Sequence, residues 1–308
     1  MTTDLAPARP PYTPSFGPVG IWTGQLDYRP ADEVRAAVRE LDELGYGAVW
    51  TGEAVGREVL TAAGLLLTAS SRITVATGIA QVHARNALTA TAGQYALAEA
   101  YPGRFVLGLG ISHAPLVEIR GLRYDKPLSL MRAYLEEMDR AAQVYRAARP
   151  VGTPPRVLAA LGPKMVELAR ERADGAHTYF VPPEHTADAR AGLGPGKLLA
   201  PEQAFVLERD PSTARETARR HTGSYLRLPN YTNNLRRYGF GDEDFADGGS
   251  DRLVDALVAR GDADALVKRI AEHREAGADH VCVQVLDPDR RGLPRRQWRE
   301  LASALLAT

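Results

Sequence analysis

The sequence predicts an α/β fold, a single (β/α)8 TIM barrel with insertions, and three observations predict it. Strand-like and helix-like stretches alternate eight times between residues 17 and 306 with no linker between them. Hydrophobic residues make up 44% of the 308 positions and charged residues 25%, enough to bury the large core of such a barrel. After the fourth strand, Gly108-Leu-Gly110 is followed by Ser112, His113 and Ala114 where the third glycine of a dinucleotide-binding GxGxxG would fall. No helix opens there, which argues against an open doubly wound sheet.

Taken in order, residues 1–16 carry Pro7, Pro10, Pro11 and Pro14, whose fixed φ angles and missing N–H groups predict an extended lead-in. The domain then runs over 17–308. Its first strand is Val19 to Trp22, and Val34, Val38, Leu41 and Leu44 recur at helical spacing until Gly45 stops the helix. Gly47 to Thr51, Ile73 to Ile79 and Phe105 to Leu109 read as the next three strands. Met131, Leu135, Met138, Ala142 and Tyr145 predict one buried helical stripe, a packing surface and not a cofactor site. Arg156 to Ala160 and Ala176 to Val181 follow as strands five and six, separated by a helix from Pro163 to Ala173. Ala204 to Glu208 reads as strand seven, with Asp210 capping the helix that Pro211 opens, and His280 to Leu286 as strand eight. Two segments exceed a plain barrel, 111–127 and 226–252, and long segments of this kind are usually functional lids or binding loops.

Lys+Arg and Asp+Glu are both 38, so no net field favours nucleic acid or an anionic membrane surface, and neither is expected as a partner. A single cysteine, Cys282, and no signal-type apolar segment point to a cytoplasmic protein. No HxH pair, HExxH or cysteine cluster offers a metal site, and no metal is expected. Neither a strand-end lysine nor a GxSxG offers a nucleophile. What remains is an anion site. Gly162-Pro163-Lys164-Met165 opens a helix whose free N–H groups and positive dipole end suit a phosphate, with the Lys164 ammonium beside them. In a barrel the site lies at the C-terminal ends of the strands, which draws attention to Trp22, Glu53, Gln81, His83, Arg85, His113 and Tyr179.

The run Ile73-Thr-Val-Ala-Thr-Gly78-Ile79, then Ala87-Leu-Thr-Ala-Thr-Ala92 and Pro102-Gly-Arg-Phe-Val-Leu-Gly108-Leu-Gly110, resembles the bacterial-luciferase-like monooxygenase superfamily. Leu161 to Met165 with Ala173-Asp174-Gly175 resembles the cofactor-phosphate segment of its deazaflavin branch, which uses coenzyme F420. Tyr231 to Leu235, Asp251 to Leu257 and Gly277 to Val281 are similar to one actinobacterial subgroup of that branch. The resemblance implies an F420-dependent oxidoreductase that moves a hydride between the deazaflavin C5 and a small organic substrate. It also implies a homodimer, with weak support from Leu60, Leu65, Leu66 and Leu67. Cofactor contacts are expected at Gly78, Ile79, Gln81, Gly162, Pro163, Lys164, Met165, Thr178 and Tyr179, and a cis peptide between Gly78 and Ile79. The substrate pocket is expected at Trp22, His83, Tyr231 and Asn234. Many relatives end the second strand with Asp-His, where this chain has Gly52-Glu53, and some carry a glutamate where it has His113. Glu53 and His113 are therefore the expected proton-transfer pair. An FMN-dependent monooxygenase of the same superfamily and a catalytically silent flavin-binding barrel stand as alternatives.

Overall fold

The computed structural model describes residues 17–306; the proline-rich lead-in expected for 1–16 lies outside the described residues, as do the last two residues. Ten strands run in chain order: β1 (Val19–Trp22), β2 (Ala48–Thr51), β3 (Thr74–Thr77), β4 (Ala80–Gln81), β5 (Phe105–Gly110), β6 (Arg156–Ala159), β7 (Gly175–Thr178), β8 (Leu198–Val206), β9 (Val258–Arg260) and β10 (Val281–Val285). Eight of them close a parallel barrel in the order β1-β2-β3-β5-β6-β7-β8-β10. The last strand returns to the first, with Val281 opposite Val19 and Cys282 opposite Glu202. The short β4 takes up the line of β3 beyond Gly78–Ile79, whose peptide is cis, and pairs with β5. The fold is the expected (β/α)8 barrel.

The helices follow the strands on the outside. In chain order they are α1 (Ala31–Leu44), α2 (Val59–Ala69), α3 (Ala87–Ala100), α4 (Ala114–Glu118), α5 (Pro127–Val144), α6 (Pro163–Arg172) and α7 (Pro183–Leu193). The second group is α8 (Pro211–Tyr225), α9 (Pro229–Arg236), α10 (Asp242–Phe245), α11 (Asp251–Leu257), α12 (Ala263–Glu275) and α13 (Arg295–Leu305). Local chemistry sets their ends. Gly45 stops α1 in the left-handed region at φ 94°, and Asp210 caps α8 by accepting the Thr213 N–H at 2.8 Å. Met131, Leu135 and Met138 form the buried stripe of α5.

Both faces of the strands are buried, which is why they read as continuous apolar runs. Inward residues, among them Trp50, Ala76, Val106, Val157 and Ala200, fill the barrel interior. Outward residues such as Val75, Leu107 and Leu158 meet the helices in the main core. Small residues dominate the interior around the Trp50 indole. At Gly108 the barrel leaves no room for more, because a Cβ there would lie 2.0 Å from the Thr77 carbonyl oxygen.

Four details differ from the expectation, the first being that a short helix, α4, opens at Ala114 with Pro115 in its first turn, where no helix was expected. The seventh barrel strand begins at Leu198, six residues before Ala204, because Pro201, Glu202 and Gln203 break the apolar run although all three are buried. Strand β7 ends at Thr178 and not Val181, since the chain turns at Phe180, which adopts φ 60°. The three-residue β9 beside β8 was not foreseen. Leu60, Leu66 and Leu67 face the core and Leu65 packs against it, so they do not form the outward apolar surface that the dimer expectation drew on.

Candidate active site

One large cavity, about 650 Å³, opens where the strands end. Its walls come from residues at or just past the ends of β1, β2, β3, β5, β6, β7 and β10, with segments 111–127 and 226–252 closing over them. That is the end of a parallel barrel at which side chains from different strands converge.

Two patches make up the wall. The first is built from Trp22, Gly78, Ile79 and His177. The Trp22 Nε1–H donates to the Gly78 carbonyl at 3.1 Å. A Cβ on Gly78 would lie 2.8 Å from Trp22 Nε1 and 3.1 Å from His177 Nε2, so glycine keeps this patch flat and open. The second patch is aromatic. The Tyr179 ring lies 5.2 Å from Trp22 and 5.2 Å from Tyr225, and Tyr231 stands 5.2 Å from Tyr225 and 5.3 Å from His113. The Tyr225 and Tyr179 hydroxyls are 2.8 Å apart, and Tyr179 donates to Gln284 Oε1 at 2.8 Å.

Burial controls the charge of these groups. It pushes the Tyr179 hydroxyl well above its ordinary value and Tyr225 up to about 12, so both stay protonated. Burial lowers the His113 ring, against a hydrogen bond with Asn230 that raises it, and lowers His177 to about 4 and His221 to about 3. The imidazoles facing the cavity are neutral. Behind the tyrosines, buried Glu202 accepts the Phe180 N–H at 3.2 Å, and desolvation raises its carboxyl to about 8.

The sequence profile of the luciferase-like monooxygenase family matches residues 13–280. The chain belongs to the luciferase-like monooxygenase family. It is 29% identical over 194 residues to a putative coenzyme F420-dependent oxidoreductase of Mycobacterium tuberculosis, covering 54% of this chain and 55% of that one. The chain thus matches about half the length of that relative. It is 24% identical to a 5,10-methylenetetrahydromethanopterin reductase of Methanolobus tindarius, over 83% of this chain and 85% of the relative. Among solved structures, an F420-dependent secondary alcohol dehydrogenase bound to an F420-acetone adduct superposes with a TM-score of 0.77. It is 15% identical, over 94% of this chain and 98% of that one. A type II Baeyer-Villiger monooxygenase of Pseudomonas putida in complex with FMN shares the fold at a TM-score of 0.66, 14% identical over 94% and 96%.

Within this luciferase-like barrel, Trp22, Glu53, Gly78, Ile79, His113, Gly162, Met165, Tyr179 and Tyr231 reach the cavity wall. Six other expected residues do not: Gln81, His83, Pro163, Lys164, Thr178 and Asn234 are absent from that wall. Gln81 is wholly buried and its amide donates to the Glu53 backbone carbonyl at 2.6 Å. Thr178 points away because side chains alternate along β7, which brings His177 and Tyr179 inward instead. Asn234 is buried and accepts from Arg237 at 3.2 Å; its neighbour Asn230 takes the place on the wall. Pro163 and Lys164 are exposed, and the Met165 N–H, expected to be free, donates to the Gly162 carbonyl at 3.0 Å within the first turn of α6.

Glu53 reaches the cavity, but its carboxylate is engaged. Arg85 donates to Oε1, which also accepts the Val59 N–H at 3.4 Å, and the Gln81 N–H donates to Oε2 at 2.8 Å. Arg85 is itself buried and shared with Glu58 at 2.7 Å, so it forms an interior ion pair and not a contact for an anionic ligand. This packing holds the Glu53 carboxylate against the strand ends, with Arg85 as its anchor.

The expected site residues did not include His177 or the face of α8 made by Thr217, Arg220, His221, Ser224 and Tyr225, all of which line the cavity. Spacings of 3, 1, 3 and 1 put those five on one side of a helix, a signal present in the sequence. These residues precede the segment 226–252 expected to close over the barrel. His273, on α12, is buried between Thr186 and Gln203, each at 2.9 Å, away from the cavity wall.

Proposed function

We propose that this protein is an F420-dependent oxidoreductase that moves a hydride between C5 of the deazaflavin and a small organic substrate. The observation that carries the reading is the two-part cavity, with a flat patch free of charged side chains for a planar ring and an aromatic, hydrogen-bonding half for a second molecule. The residues fit such a ring. Gly78 keeps the patch clear, Gly110 leaves room for the Ile79 side chain, since a Cβ there would lie 2.5 Å from it, and a Cβ on Gly162 would meet nothing within 4 Å. The name of the Mycobacterium tuberculosis relative, matched over about half of the chain, supports the same cofactor.

In this reading Trp22, Gly78, Ile79 and Gly162 hold the cofactor, with the N-terminus of α6 toward its phosphate. When bound, the deazaflavin supplies a two-electron hydride donor or acceptor at C5. The chain orients the two reactants and excludes water. His113, neutral and set against Tyr231, serves as the group that exchanges a proton with the substrate. Tyr179, held by Tyr225 and Gln284, orients the substrate oxygen or nitrogen. A homodimer is part of the same reading, supported by the family resemblance and by Leu88, which α3 leaves exposed.

Anaerobic assays with reduced F420 and a panel of aldehydes, ketones and unsaturated carbonyl compounds test the reading. Turnover with at least one of them is expected, and His113→Asn should lower kcat by about a hundredfold, the smaller end for acid-base groups, at unchanged F420 affinity. Oxygen-dependent turnover with reduced FMN, and none with F420, would assign the monooxygenase chemistry instead.

A further inference from the structure

His177 brings to the first patch a polar atom that no protein group satisfies. The side chain is 2% exposed and stands on the cavity wall, stacked on Trp50 with ring centroids 4.7 Å apart. Its Nδ1 lies 2.7 Å from the Ala200 carbonyl, which can only accept, so Nδ1 carries the proton and Nε2 presents a lone pair. Cys282 Sγ lies 4.0 Å from the same Nδ1. The Trp22 N–H, on the same patch, is already given to the Gly78 carbonyl at 3.1 Å. Nε2 is left without a donor.

Buried acceptors in folded proteins are nearly always paired, and one left unpaired beside a cavity is a place for a ligand's donor. The space for it comes from residue 78, where any side chain would begin 3.1 Å from Nε2. Burial also keeps the ring neutral, so the lone pair persists throughout the working pH range.

We infer that His177 Nε2 is a recognition point for the ligand, accepting a hydrogen bond from a ring N–H or O–H of a planar heterocycle that lies on Gly78–Ile79. The inference rests on the deazaflavin reading and deepens it. In its oxidised form that ring system offers two such donors, the imide N–H and the protonated phenolic hydroxyl, and an oxidised flavin offers only the first. His177 thereby selects for a ring with a donor at the edge that meets it.

The test measures Kd by fluorescence quenching for 8-hydroxy-5-deazariboflavin, its imide N-methyl derivative and its O-methyl derivative, with the parent protein and with His177→Phe. Phenylalanine preserves the stacking on Trp50 and removes the acceptor. The parent protein should bind one of the two methylated rings at least about tenfold more weakly than the free ring, a difference of about 1.4 kcal/mol. His177→Phe should bind the free ring about tenfold more weakly and no longer discriminate against that derivative. Equal binding of all three rings by the parent protein overturns the inference and leaves Nε2 to a water molecule. So does the same discrimination in His177→Phe. If the variant does not fold, the three rings on the parent protein decide alone. Binding of none of them removes the deazaflavin reading and this inference with it, whereas binding without discrimination removes only the role of His177.

Discussion

The carboxylate of Glu53 sits at the end of β2 with both oxygens engaged, by Arg85 and two backbone N–H groups. Its position at a strand end was legible in the sequence; its partners were not, because Arg85 and Gln81 come from 28 to 32 residues further along the chain. Removing one member of a buried ion pair leaves the other uncompensated, so Glu53→Ala should cost about 3 kcal/mol, near the low end for such pairs because Glu58 stays on Arg85. Urea unfolding measures this, and unchanged stability with lost turnover would return Glu53 to the chemistry. Glu202 makes a second prediction. Its carboxyl releases its proton near 4.5 in the unfolded chain and near 8 in the fold. Between those values the folded state holds a proton that the unfolded chain has lost, so stability falls as pH rises. Buried His177, His221 and His280 act in the opposite sense below 6.5, where the unfolded chain gains protons first. From pH 6.5 to 8 the Tm of the parent protein should therefore decline more steeply than that of Glu202→Gln. Parallel curves would show that Glu202 is ionised in the fold.

Periodicity made the elements legible where apolar residues carry them. It gave β1, β2, β5, α1 and the stripe of α5, and it lost the first half of β8, where Pro201, Glu202 and Gln203 are inside the barrel wall for reasons that no hydropathy pattern expresses. The same limit governs the site. Alternation along β7 assigns His177 and Tyr179 to the inside and Thr178 to the outside, so Thr178 and Tyr179 could not both face a cofactor. The close approach of β3 and β5 yields a test at this scale. Gly108→Ala sets a methyl group 2.0 Å from the Thr77 carbonyl oxygen, backbone that cannot rotate away. It should destabilise the protein by roughly 2–3 kcal/mol, in the range for overpacked cores. Thermal unfolding that matches the parent protein would mean that the two strands stand further apart than described.

At the scale of the whole molecule, the barrel explains why the site residues are scattered from Trp22 to Gln284 and still meet at one opening. Eightfold alternation was enough to infer the closed sheet. The contents of the cavity depended on how α4, α8 and α9 fold over its mouth, and segments of this kind carry no period that ties them to a strand end. No described helix is long and apolar enough to cross a membrane. Light scattering at micromolar concentration should give twice the chain mass of 33.4 kDa, and a particle of 33.4 kDa would remove the homodimer.

The central claim is that this cavity holds a deazaflavin, with Gly162 at the entry to α6 beside it. Fluorescence titration of the parent protein and of Gly162→Val with F420 and with FMN tests it most directly. A Cβ at 162 meets nothing within 4 Å, so the variant should fold as the parent does. The account predicts that the parent protein binds F420 more tightly than FMN and that Gly162→Val weakens F420 binding at least about tenfold, or 1.4 kcal/mol. Tighter binding of FMN than of F420 by the parent protein, or a folded Gly162→Val that binds F420 as the parent does, would contradict it.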